Sequence, residues 1–226
     1  HRNYISLLNF AIEVDGIIFN NLEDYKNNKI EISSNYHTKN IFNYLFNLSD
    51  LEFNLSYFQV GEHSLVCNFQ VENKSSKKHN ILINAINVFG DIYKGYWGCD
   101  GIVSNYNKEF DMSISKFFAD GDMFAMGSTL RSLSFKATSK DSLLNQWIMS
   151  SDTTHITTPV SFRIHEKITE EGKSLGHMNN LLTYKVDIIP NEKKYIKFII
   201  TRGTNEKDVI DLLKNDLSVS TKSQIA

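Results

Sequence analysis

The sequence predicts an all-β protein: a large antiparallel two-sheet β-sandwich with one or two short helices, one of them at the C-terminus. Three observations carry this. Apolar and polar residues alternate with a period of two in segment after segment, helical periodicity is confined to two stretches, and the connections are polar turns. Only two prolines occur in 226 residues and no Pro/Gly-rich linker divides the chain. Alternation with one apolar face is the mark of strands that bury one side and present the other to a second layer or to water.

In chain order, Leu51, Phe53, Leu55 and Tyr57 share one face of an extended run, with Glu52, Asn54 and Ser56 on the other. Leu65, Cys67, Phe69 and Val71 repeat the pattern against Ser64, Asn68, Gln70 and Glu72. The segment Asn73 to Asn80 has no apolar residue and reads as a turn, after which Ile81 to Phe89 resumes an apolar strand. Strand, polar turn, strand is expected to be a meander. Gly95, Gly98 and Gly101 punctuate a bend, and Phe117 to Met126 reads as two short strands about Asp120-Gly121. Ser132 to Ala137 alternates, as do Val160, Phe162 and Ile164. Leu182, Tyr184, Val186 and Ile188 lead to a turn at Pro190 to Lys194, and Tyr195 to Ile200 is expected as the second arm of a hairpin.

The clearest helix follows: Thr204 or Asn205 as cap, acids in the first half, a closing Lys214, and one stripe of Val209, Ile210, Leu212 and Leu213. A shorter helix is expected around Leu143 to Ile148. Beyond Asn215 the chain is small and polar, so residues 1–215 read as one sandwich domain and 216–226 as a tail or the start of a linker.

Composition narrows the function classes. At 41% hydrophobic and 22% charged residues the chain is ordinary for a folded domain. At this length roughly 70–75% of the unfolded surface is buried, so no metal or disulfide staple is needed. Net charge is −2, and the arginines are only Arg2, Arg131, Arg163 and Arg202, which argues against nucleic acid as a partner. No apolar run is long enough for a membrane helix. The start, His1-Arg2-Asn3-Tyr4, lacks a methionine and a signal-like apolar stretch, as a piece of a longer chain would. The expected compartment is the cytoplasm. Cys67 sits in a strand and reads as a small core residue; a bond to Cys99 is open but not demanded by the spacing.

Chemistry-bearing patterns are sparse. His155, His165 and His177 match no metal-ligand spacing, and no metal or other cofactor is expected. Asp120-Gly121-Asp122 reads as a tight turn rather than a calcium loop, since Met123, Phe124 and Ala125 follow. There is no Gly-x-Ser-x-Gly elbow and no phosphate loop after a strand. A mutarotase would need a histidine acid and a carboxylate base; His63, His155 or His177 with Glu166 or Asp187 are the available pairs. Aromatic residues make up 12% of the chain, and Tyr93, Tyr96, Trp97 and Tyr106 cluster around the glycine bend. They are candidates for carbohydrate stacking, against the competing reading that they fill the core or dock another domain.

Two stretches carry a resemblance. Leu65-Val66-Cys67-Asn68-Phe69-Gln70-Val71-Glu72-Asn73-Lys74-Ser75 with the strand after it, and Ile188 to Ile200 with the helix that follows, resemble the N-terminal β-sandwich of glucoamylase-like and glycogen-debranching-like glycoside hydrolases. The opening Phe10 to Gly16 is similar to the start of such a sandwich. The resemblance implies a supersandwich-like fold over nearly the whole chain. It also implies catalytic carboxylates in a separate downstream α-helical toroid, and none in this chain. The expected function is support of that catalytic domain and a contribution to an α-glucan or oligosaccharide cleft. The alternatives are a stand-alone carbohydrate-binding module or a sugar epimerase on a similar sandwich.

Overall fold

The computed structural model describes residues 4–19, 22–90, 101–117, 121–138, 171–175 and 177–219. Among these, thirteen strands form two antiparallel sheets. In chain order they are β1 (Tyr4–Val14), β2 (Ile17–Phe19), β3 (Ile41–Leu48), β4 (Leu51–Val60), β5 (Ser64–Asn73), β6 (His79–Gly90) and β7 (Gly101–Asn107). Then follow β8 (Met112–Phe117), β9 (Met123–Ser128), β10 (Ser132–Thr138), β11 (Glu171–Leu175), β12 (His177–Ile188) and β13 (Lys193–Gly203). Helix α1 (Leu22–Asn27) lies between β2 and β3, and α2 (Glu206–Ser218) closes the described chain.

The smaller sheet has the order β10-β12-β6-β1-β2 and the larger β11-β7-β8-β9-β13-β5-β4-β3. The two-sheet sandwich expected from the alternation is therefore present. Phe10, Ile12 and Val14 of β1, Ile81, Ile83 and Ala85 of β6, and Leu182, Tyr184 and Val186 of β12 face Phe53, Phe69, Phe198 and Ile200 of the larger sheet in one core. Each strand contributes every second residue, as a pleat requires.

Two connections differ from expectation. The polar segment after β5 does not close a meander: β5 belongs to the larger sheet and β6 to the smaller one. Likewise β12 and β13 are not the arms of a hairpin, because the turn between them carries the chain from one sheet to the other. Period-two alternation is the same whether neighbouring strands pair edge to edge or stack face to face, so pairing depends on tertiary packing. Here β13 pairs with β5 and β9, and β12 pairs with β6 and β10. Asn73 at the end of β5 donates its side-chain amide to Lys77 O at 2.6 Å and to Ile188 O at 3.4 Å, tying both crossings together.

Between β8, which ends at Phe117, and β9, which begins at Met123, Gly121 has φ +75°, while Asp120 of the expected turn lies outside the described residues. Strand β3 and helix α1 were not anticipated from the sequence. The C-terminal helix was, and it runs to Ser218, past the expected Lys214. Asn205 is its cap, accepting from the Asp208 amide at 3.0 Å. Its buried Val209 and Leu213 pack on Met112, Ile114, Met123 and Ala125, the outer face of the larger sheet. The expected helix around Leu143 to Ile148 and the Val160 to Ile164 run lie outside the described residues.

Candidate functional site: an aromatic cleft at the open edge of the sandwich

Strand β3 is the edge of the larger sheet, and its inward residues are Phe42, Tyr44, Phe46 and Leu48. Their burial falls along the strand. Leu48 is fully buried and Phe46 nearly so, whereas Tyr44 is 45% and Phe42 58% exposed. The inner face thus continues past the point where the opposing sheet covers it. Across from it stand Leu8, Phe10 and Ile12 of β1, with Tyr25 of α1 at one side. Between them lies a cleft of about 500 Å³.

The rings are fixed by one another. Phe46 stacks on Phe53 at 5.4 Å and 7°. Tyr25 meets Phe46 edge-on at 5.7 Å, and Tyr44 meets Tyr57 edge-on at 5.9 Å. Edge-to-face and offset contacts suit the ring quadrupoles and hold the wall of the cleft in shape. Burial, and behind it the charge of Asp24, pushes the Tyr25 hydroxyl up to about 12. Burial first, then the neighbouring Cys67 thiol, pushes Tyr57 well up. Both phenols stay neutral at physiological pH. The lining contains no carboxylate, imidazole, lysine or arginine. Such a surface binds through contact area and a few neutral hydroxyls; it holds no acid–base pair.

The residues singled out by sequence fall elsewhere. Tyr93, Tyr96 and Trp97 lie outside the described residues. Tyr106 is half-buried on β7, stacked on Phe135 at 5.7 Å and 16°. Its hydroxyl is hydrogen-bonded to Asp111 and, at 3.0 Å, to Ser132. Its ring thus joins the two sheets, and it also borders a second hollow of about 550 Å³ beside the start of α2, with Asn105, Lys116 and Glu206.

Of the possible mutarotase pairs, His155 and Glu166 are outside the described residues, and Asp187 lies 3.7 Å from Lys78 and 3.9 Å from Lys185. Of the Asp120-Gly121-Asp122 carboxylates, Asp120 is outside the described residues and Asp122 is held by Arg202 at 2.7 Å. Among the described residues no three His, Cys, Asp or Glu side chains group to hold a metal. No described helix is long and apolar enough to cross a membrane. Cys67 is free and fully buried, as a core residue would be.

The cleft residues were missed because β3 was missed. The signal was present: Phe42, Tyr44, Phe46 and Leu48 alternate with Ile41, Asn43, Leu45 and Asn47. Both sets contain apolar residues, which blurs the period.

No family model and no curated protein matches the sequence. Solved structures do share the architecture. A structure described as a kojibiose phosphorylase from the human microbiome aligns over 95% of this chain with a TM-score of 0.56 and 11% identity. A bacterial glucoamylase complexed with acarbose aligns over 99% of it with a TM-score of 0.55 and 10% identity. The fold is common to all three. At these identities the likeness is one of fold, and it agrees with the resemblance carried by the two sequence stretches. This chain spans 25% of the first structure and 31% of the second.

Proposed function

We propose that this chain is the N-terminal β-sandwich domain of a glycoside-processing enzyme, non-catalytic in glycoside cleavage, supporting a separate α-helical catalytic toroid and contributing to its α-glucan cleft. The observation that carries the reading is one of extent. Nearly the whole chain aligns with a quarter to a third of two enzymes whose names denote work on glucosides, leaving most of each for other structure. The aromatic cleft supports it: a wall of Phe42, Tyr44 and Tyr57, neutral at physiological pH, suits ring stacking on a sugar or the docking of a neighbouring domain. The nearest partner in this reading is the rest of the same polypeptide.

The test is the mass of the native polypeptide in its source cells, probed with an antibody raised against this domain. The expected result is a species several times larger than 26.0 kDa that co-purifies with activity on α-glucosides. A native chain of that mass itself would overturn the reading and leave a stand-alone carbohydrate-binding module or epimerase as the question.

A further inference from the structure

Where the chain crosses from β5 to β6, side chains from two turns form a continuous hydrogen-bonded relay. Asp15 heads the β1–β2 turn with φ +50°, followed by Gly16 at +88°, the left-handed pair that two-residue hairpins favour in Asp-Gly. Its Oδ1 accepts from the Asn80 amide at 2.9 Å, which leaves Oδ2 to His79 Nδ1 at 2.6 Å. The other ring nitrogen, Nε2, lies 3.1 Å from Ser75 Oγ.

The protons in this relay follow from the groups themselves. The Asn80 amide, and behind it His79, hold the Asp15 carboxyl below its ordinary value, so it is an ionised acceptor. Nδ1 must therefore carry the proton it donates. In the neutral imidazole Nε2 is then an acceptor aimed at the Ser75 hydroxyl. His79 is 7% exposed, while Ser75 is half-buried and open to solvent. Ser75 is held from both sides: its amide donates to Asn73 Oδ1 at 2.9 Å, and the Lys77 amide donates to its Oγ at 3.1 Å. The hydroxyl also reaches Asn73 Oδ1 at 2.8 Å and Lys77 O at 3.2 Å, but neither of those neutral oxygens is a base.

A carboxylate that orients an imidazole which faces a hydroxyl is the arrangement that makes serine a nucleophile, and it is recognised by geometry on any fold. We propose that Ser75, His79 and Asp15 form an acyl-transfer site acting on short-chain acyl esters. Ser75 Oγ attacks the ester carbonyl carbon while its proton passes to His79 Nε2. The carbonyl–oxygen bond to the alcohol then breaks, and the departing oxygen takes that proton. Water, giving its proton to the same nitrogen, attacks the acyl carbon; the bond to Ser75 Oγ breaks, the carboxylic acid departs, and Oγ takes the proton back from Nε2. Asp15 is the positioning residue, fixing the tautomer. Lys77 and Lys78 are exposed beside this turn, Lys78 lying 3.7 Å from Asp187. The residues flanking Ser75 in the chain, Lys74, Ser76, Lys77 and Lys78, are exposed and polar, and the substrate class proposed is short on that ground.

The experiment exposes the protein to a fluorophosphonate probe, maps the adduct by mass spectrometry and follows p-nitrophenyl acetate hydrolysis. The adduct is expected on Ser75 and not on the exposed neighbour Ser76. Hydrolysis is expected to fall roughly 10²-fold in Ser75→Ala and to be unchanged in Ser76→Ala. Asp15→Asn should slow labelling and remove the low-field proton resonance of the His79 Nδ1 hydrogen bond, a signature that a merely loosened turn would not select. An adduct absent from Ser75, or spread equally over Ser76, or hydrolysis unchanged in Ser75→Ala, would overturn the proposal and leave the relay as a lock between two turns.

Discussion

Lys197 is buried on the outer face of β13, where the alternation of Tyr195 to Ile200 gives no hint of a buried charge. Its ammonium donates to Asp216 O at 3.1 Å, Leu217 O at 3.3 Å and Val219 O, three carbonyls at the end of α2. That helix has no basic residue in its own last turn, so the cation its dipole favours comes from the sheet below. Burial lowers the Lys197 pKa from 10.5. Between the lowered value and 10.5 the unfolded chain binds more protons than the folded one, so stability from this group rises with pH across that window. Lys197→Met is expected to cost about 1–3 kcal/mol at neutral pH, read by urea unfolding, and to speed hydrogen exchange in the last turn of α2. It should also abolish the alkaline rise. Unchanged exchange in that turn would show that the lysine does not anchor the helix. Sequence placed Lys197 in a strand correctly; its role depends on a helix end twenty residues away in the chain and adjacent only in the fold.

At the scale of the element, α2 was the most legible part of the chain, because cap, acidic first turn and apolar stripe all agree. Its seat on the sheet was not. Gly203, the last residue of β13, lies so close beneath the helix that an added Cβ would sit 2.9 Å from Val209 Cγ1 and 3.2 Å from Asp208 Cβ. Gly203→Ala is therefore expected to destabilise by about 1–3 kcal/mol, by lifting the first turn of α2 or shifting its side chains. Thermal unfolding measures this, and an equal or higher melting temperature would mean the contact relaxes freely. Strand β3 was illegible for the opposite reason. Its outward Ile41 and Leu45 are apolar because the outer face of the larger sheet is itself covered: Ile41 packs with Phe58, Val66 and Ile199, near Leu217 of α2. A strand with apolar residues on both faces loses the alternation by which strands are read.

For the molecule as a whole, Phe198 is a point where the two sheets meet. Its ring contacts Phe10 of β1 at 4.8 Å, Tyr184 of β12 at 5.2 Å and Phe69 of β5 at 5.7 Å, so it touches both layers at once. Phe198→Ala is expected to cost about 3–5 kcal/mol and to lower a single unfolding transition rather than split it. Two separated transitions in differential scanning calorimetry would show that the sheets fold independently. The sequence by itself determined the all-β class, the positions of most strands and the C-terminal helix, because a pleat and a helix each stamp a local period on neighbouring residues. Only the tertiary structure decided that β5 and β6, and β12 and β13, part company into opposite sheets. It alone left Phe42 and Tyr44 uncovered at an open edge and brought Asp15 to His79 across 64 residues of chain. Those outcomes depend on which faces meet, and a period of two is silent about the partner it meets.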